Sequence, residues 1–131
     1  MVDEPVGSSD ADYAGHDRAF AVSPTQRGGA AILSVRGDVD ALTAPELTQA
    51  IVAALDKGPS TVIVDLSDVA FLASAGMSVL VEAQERVSAS AKLLVVADGS
   101  ATSRPIKMVG IDKIVSLYPT LADALDACGE A

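Results

Sequence analysis

The sequence predicts an α/β fold, with one domain built on a mixed, mostly parallel β-sheet of four to five strands and about four α-helices. Residues Thr61–Val64 and Lys92–Val96 are β-branched or apolar almost throughout, which is typical of parallel strands covered by helices on both faces. Segments with apolar residues at helical spacing alternate with these strands. The chain of 131 residues is long enough to bury such a core without disulfide bonds.

Composition and charge disfavour several classes of function. The net charge of −9 and the pI near 4.3 disfavour binding to nucleic acid or to an anionic membrane, because phosphate recognition needs clustered Lys and Arg. The single cysteine, Cys128, excludes an internal disulfide and a CxxC metal or redox pair. The sequence has neither an apolar run of the ~20 residues that cross a bilayer nor a signal peptide pattern at its start. We therefore expect a cytoplasmic protein.

The chain divides into a tail and one domain. Residues 1–18 combine Asp, Gly, Ser and Ala with few large apolar side chains, so we expect a flexible acidic tail, followed by the domain at 19–131. The only histidine, His16, lies in this tail. Because it has no Cys or His neighbours, we expect it to be solvated and not to serve as a base or metal ligand.

A β-hairpin is expected to open the domain. Residues 19–22 and 31–35 have strand patterns and are joined through Gly28-Gly29, a connection so short that it requires antiparallel pairing. Two carboxylates, Asp38 and Asp40, end the second strand. Such a pair can bind Mg²⁺ or perform acid–base chemistry, but like charges on one side of an extended segment repel, so a solvated loop is the simpler interpretation.

The next helix and strand follow directly. Thr43–Glu46 matches a capping box with proline in the first turn, which predicts a helix that runs through Leu55. That helix is long enough to connect the hairpin to a parallel strand at Thr61–Asp65.

The stretch from Asp65 to Leu80 is the expected centre of the domain. We expect a polar turn at Ser67-Asp68, after which Phe71 and Leu72 return to the core. A helix then runs from Ser74 to about Ser88, with a predicted apolar stripe that includes Met77, Leu80 and Val81. Free backbone N–H groups and the positive end of the helix dipole converge at Ser74-Ala75-Gly76, so any working site is expected there.

The last third of the sequence completes the predicted sheet. A buried strand at Lys92–Val96 is followed by a short helix that Thr102 or Ser103 caps and Gly110 ends, and then by a strand at Ile114–Leu117. Pro119-Thr120 starts a final helix, whose buried stripe includes Cys128 as a small core residue and not a reactive thiol.

Enzymatic motifs are missing from the sequence. It contains no GxGxxG after a strand, no GxxxxGK[ST], no HExxH and no GxSxG. With the only histidine in the tail, no Ser–His or Cys–His pair can form in the domain. We therefore expect no catalytic residue, no metal and no cofactor.

Ser74 is the residue that carries the functional hypothesis. One interpretation is an N-cap, with its hydroxyl accepting from the N–H of Met77 or a neighbour. The other is a phosphorylation site, at which the phosphate would face the positive end of the helix and would change an interface by charge and bulk without unfolding the domain. The two roles are compatible.

The segment DLSDVAFLASAGM resembles the signature of the STAS domain family, and Gly37-Asp38-Val39-Asp40 is similar to the family's Gly-acidic-apolar-Asp element. The resemblance covers about residues 20–129 and is nearer to free-standing anti-sigma factor antagonists than to transporter tails. It implies partner switching in the cytoplasm. In the family, the unphosphorylated antagonist binds an anti-sigma factor, itself a GHKL-type serine kinase, and frees a sigma factor. The kinase then phosphorylates the antagonist and ends the complex, and a phosphatase restores it.

The resemblance implies a partner-binding surface, and the sequence departs from the family there. The residues implied are Asp38, Asp40, Ser74, Ala75, Gly76 and Met77. The usual phosphate acceptor lies just before the glycine, where this chain has Ala75, and the preceding acidic position is Ala73. Either Ser74 is the acceptor, or the protein binds without a phosphate switch. A STAS scaffold or a nucleotide- or ligand-sensing module is the alternative function.

Overall fold

The computed structural model describes residues 19–87 and 89–130, in which five strands form one sheet. The strands lie in the sheet in their chain order, β1 to β5. The first two pair antiparallel and all other neighbours pair in parallel, which confirms the predicted mixed sheet. The strands are β1 (Ala21–Arg27), β2 (Ala30–Val39), β3 (Thr61–Leu72), β4 (Lys92–Val96) and β5 (Ser116–Tyr118). The predicted tail and His16 lie outside the described residues.

The helices cover the two faces of the sheet unequally. They are α1 (Ala44–Leu55), α2 (Ser74–Val87), α3 (Ser103–Met108) and α4 (Leu121–Ala127), with a 3₁₀ turn at Ile111–Lys113. The first three helices share the larger core cluster, to which Leu47, Leu80 and Ile106 belong. Helix α4 packs Ala124 and Leu125 on the opposite face. Alternate side chains of β2, β3 and β4 therefore enter different halves of the core.

The central strand is longer than the sequence suggested. The expected turn at Ser67-Asp68 is wrong, because β3 continues through these residues to Leu72. A bulge takes the place of the turn: Ser34 pairs with Asp65, whereas Arg36 pairs with Asp68. The Asp65 carboxylate accepts the Ser67 backbone N–H at 3.0 Å, which satisfies a polar group at the bulge and lets the strand proceed.

The first two strands also extend beyond the prediction. β1 runs to Arg27 and includes Pro24, which an edge strand tolerates because one side of it needs no N–H donor. β2 runs to Val39, so Asp38 lies in a strand and not in a solvated loop. This extension brings Asp38 and Val39 beside the end of β3.

The buried face of α2 differs in part from the predicted one. The expected stripe comprised Met77, Leu80, Val81 and residues 84–87, of which Leu80 and Val87 are in the core. Met77 and Val81 are only partly buried, and Val79 and Ala83 are buried instead. The sequence alone could not separate the two faces because α2 carries apolar residues on both. The apolar side chains of Met77 and Val81 consequently border the surface.

The C-terminal elements mostly follow the prediction. The last strand begins at Ser116 and not at Ile114, because the 3₁₀ turn occupies the preceding residues and leaves Ile114 52% exposed. Thr120 caps α4 by accepting the Asp123 backbone N–H at 3.1 Å. Cys128 is half-buried just after α4, and packs against the smaller core cluster. Among the described residues no helix has the length and hydropathy to span a membrane.

Candidate functional site

The candidate site lies where the carboxyl ends of β2 and β3 meet the start of α2. In the sheet register Asp38 pairs with Phe71 and Val39 with Leu72. The Ala73 backbone N–H then donates to the Val39 carbonyl at 2.8 Å. The end of β2 and the first turn of α2 are thereby fixed beside each other, at the edge of the sheet where α/β proteins commonly bind their ligands.

Gly76 allows α2 to approach β2 this closely. A Cβ atom at this position would lie 2.5 Å from Val39 Cγ1 and 2.8 Å from Leu72 Cδ1, well inside van der Waals contact. Gly76 itself is buried. Its role at the site is therefore to permit close packing, and it has little exposed surface for the partner contact that the sequence implied.

Asp40 and Thr43 organise the loop between β2 and α1. The Asp40 carboxylate accepts the backbone N–H groups of Leu42 at 3.0 Å and Thr43 at 3.1 Å. The Thr43 hydroxyl donates to the Asp38 carbonyl at 2.9 Å and accepts the Asp40 N–H at 2.9 Å. The predicted capping box is wrong, because the Thr43 side chain points back to β2 and makes no cap bond to α1.

Asp38 and Asp40 differ in their surroundings although both are half-buried. Asp38 lies within the sheet, whereas Asp40 lies just after it and is held by the loop it caps. Among residues 19–87 and 89–130 no group of three or more His, Cys, Asp or Glu side chains could hold a metal ion.

Ser74 is exposed at the first helical position of α2. The N-cap position falls on Ala73, whose carbonyl accepts the N–H groups of Gly76 at 3.0 Å and Met77 at 3.1 Å. The proposed N-cap role of the Ser74 hydroxyl is therefore wrong, because the N-cap residue is one position earlier and has no hydroxyl. Ala75 and Met77 are half-buried, so Ser74 is the hydroxyl that this turn offers to solvent.

Two exposed apolar side chains lie in the chain segments that end at this site. Phe71, which we expected in the core, is 50% exposed because the continuous strand places it on the opposite face from Leu72. Leu42, in the loop after Asp40, is 87% exposed. Leu42 was not identified from the sequence as an exposed residue. The available signal was an apolar residue within a loop that Asp40 and Thr43 hold by hydrogen bonds. Exposed apolar side chains next to polar ones are typical of protein-binding surfaces.

Comparisons with known proteins agree on one family. The sequence model of the STAS domain family matches residues 21–124 of the chain. The anti-sigma-F factor antagonist RsfB of Mycobacterium tuberculosis is 40% identical over 107 residues, which cover 82% of this chain and 88% of RsfB.

Solved structures show the same fold. An anti-sigma factor antagonist from Mycobacterium paratuberculosis is 41% identical and superposes with a TM-score of 0.80, covering 84% of this chain and 94% of that one. The unphosphorylated form of the Bacillus anti-sigma factor antagonist SpoIIAA has a TM-score of 0.68 over 86% of this chain and 98% of that one. At 16% identity, the second likeness concerns the fold alone.

Proposed function

The chain belongs to the STAS domain family, and on that premise we propose that it is an anti-sigma factor antagonist, which binds an anti-sigma factor and thereby releases a sigma factor. The proposal describes a regulatory binding protein of the cytoplasm without enzymatic activity. Its support in sequence is the 40% identity to RsfB, whose name states this role.

The observation that carries the proposal is the outward-facing surface at the start of α2. Ser74 is exposed there, the exposed Phe71 lies three residues earlier in β3, and the exposed Leu42 follows the half-buried carboxylates of Asp38 and Asp40 at the end of β2, the strand that pairs with β3. Apolar anchors can supply much of the affinity of a protein interface, while the carboxylates favour a partner with complementary basic residues. The partner-contacting residues are then Asp38, Asp40, Ser74, Ala75 and Met77.

We propose further that the anti-sigma partner is a GHKL-type serine kinase that phosphorylates Ser74, and that a phosphatase reverses the modification. Ala75, at the family's usual acceptor position, has no hydroxyl, whereas Ser74 is exposed one residue earlier. A phosphate on the first helical residue would lie near the positive end of α2, so the helix would stay intact. Its charge of about −2 and its bulk would instead disrupt the docked surface.

Release of a sigma factor is the experiment that tests the antagonist role. The chain is added to a preformed complex of the Mycobacterium tuberculosis anti-sigma-F factor and its sigma factor, and free sigma factor is measured. We expect release that increases with the concentration of the chain. A complex that stays intact at saturating concentrations contradicts the proposal.

Mass spectrometry tests the phosphorylation step separately. The chain is incubated with the same anti-sigma factor and ATP, and intact mass and peptide fragments are recorded. We expect one phosphate, on Ser74, and none on Ser74→Ala, while the exposed loop residue Ser100 serves as the matched control in Ser100→Ala. Phosphate on another residue, or none, would overturn the switch but leave the binding role intact.

A further inference from the structure

A groove runs from Ser74 along the outer side of α2. One wall consists of side chains from successive turns of α2, and the other is formed by the end of α3 and the 3₁₀ turn. The α2 positions 74, 78, 81 and 85 recur at helical spacing, so this wall follows the helix axis for about 16 Å, or about three turns. The lining residues are Ser74, Met77, Ser78, Val81, Glu82, Glu85, Val109 and Ile111.

The middle of the groove is apolar and accessible. Met77 and Val81 are only partly buried, although both pack against the main core cluster. Across the groove Val109 is 59% exposed, and the preceding Met108 is 74% exposed. An accessible apolar channel of this kind has the character of a binding groove and not of ordinary scattered surface residues.

The negative charge of the groove favours a basic binding partner. Glu82 and Glu85 line the end of the groove away from Ser74, and the whole chain carries a net charge of −9. A second copy of the chain would bring its own acidic groove against this one, so self-association through it is disfavoured. A segment with an apolar stripe and flanking Lys or Arg fits both the lining and the charge.

We propose that this groove binds an amphipathic, basic helix of the anti-sigma partner. The apolar face of that helix packs on Met77, Val81 and Val109, and its Lys or Arg side chains lie beside Glu82 and Glu85. The inference rests on the proposed function and extends it, because it makes Ser74 the end of a longer docking surface. A phosphate at Ser74 would then affect the seating of the bound helix at that end.

Exposed-residue variants test the apolar part of the groove. Binding of the full chain to the Mycobacterium tuberculosis anti-sigma-F factor is measured by calorimetry for Val109→Asp and for Ile114→Asp, a matched control that is 52% exposed and does not line the groove. We expect Val109→Asp to weaken binding at least about tenfold. Ile114→Asp should bind within about twofold of the unaltered chain, and thermal melting should show both variants folded.

Charge reversal tests the acidic end independently. Glu82→Lys is compared with Asp126→Lys, an exposed position on α4 across the sheet. Only Glu82→Lys should weaken binding and reduce its salt dependence. Unaltered binding by both Val109→Asp and Glu82→Lys would overturn this inference alone. Failure of the unaltered chain to bind would overturn the proposed function as well, and loss of a dimer in Val109→Asp, seen by light scattering, would assign the groove to a second copy instead.

Discussion

Val39 and Gly76 are in such close contact that a Cβ atom on Gly76 would lie 2.5 Å from Val39 Cγ1. The contact joins the end of β2 to the first turn of α2, and the hydrogen bond from Ala73 N–H to the Val39 carbonyl reinforces it. The position of Ser74 relative to Asp38 and Asp40 therefore depends on a buried glycine.

Gly76→Ala should destabilise the domain by about 1–3 kcal/mol, because the added methyl group overpacks against Val39 and Leu72. Urea unfolding measures the cost. In a Val39→Ala background the same change should cost at least about 0.5 kcal/mol less, because the clashing Cγ1 is gone. Strictly additive costs would show that the contact does not limit this position.

Asp40→Ala should lower the free energy of unfolding by about 1 kcal/mol, because the Asp40 carboxylate accepts two backbone N–H groups in the loop between β2 and α1. Asp40→Asn, which keeps an acceptor oxygen, should restore most of the loss. Glu46→Ala should change stability by less than about 0.5 kcal/mol, since Asp40 already accepts the Thr43 N–H that a capping-box glutamate would take. A large cost at Glu46 would show that the capping box forms after all.

Glu130→Ala should also destabilise the domain, by about 1 kcal/mol. The Glu130 carboxylate accepts the Gly29 N–H at 3.0 Å and so ties the chain after α4 to the β1–β2 turn. Thermal unfolding of Glu130→Ala and Glu130→Gln provides the comparison, with the glutamine variant expected to lose less. Equal melting temperatures of the unaltered chain, Glu130→Ala and Glu130→Gln would contradict a stabilising role for the hydrogen bond between Glu130 and Gly29.

Phe71→Ala and Leu42→Ala should each weaken anti-sigma factor binding by about tenfold. Leu42→Ala should leave stability nearly unchanged because Leu42 is 87% exposed, whereas Phe71→Ala should lower it by about 1 kcal/mol because Phe71 is 50% exposed. Calorimetric titration measures the affinity, and Ile114→Ala is the exposed apolar control away from this surface. Equal affinities for all three variants would remove Phe71 and Leu42 from the interface.

Much of the fold could be predicted because its signals are local. The buried strands at Thr61–Val64 and Lys92–Val96, the start of α1 and the Thr120 cap follow from apolar runs and helix-start residues. The bulge between Asp65 and Asp68 could not be separated from a turn, because both use the same polar residues and only pairing with β2 distinguishes them.

The candidate site residues could be grouped from the sequence, whereas the packing around them could not. Ser74 and the two aspartates were identified from their pattern, and the structure places them at one edge of the sheet. The packing role of Gly76 and the exposure of Phe71 depend on tertiary contacts between β2, β3 and α2. Such contacts leave no periodic signal in the sequence.

The most direct test of the central claim is the affinity of the Mycobacterium tuberculosis anti-sigma-F factor for Ser74→Asp, measured by calorimetry beside the unaltered chain and Ser100→Asp. Ser100 is exposed in a loop outside the candidate site, so its variant controls for added charge. We predict tight binding by the unaltered chain and by Ser100→Asp, with a loss of at least about tenfold for Ser74→Asp. Equal binding by all three proteins would contradict the claim that the exposed start of α2 is the surface that the partner contacts.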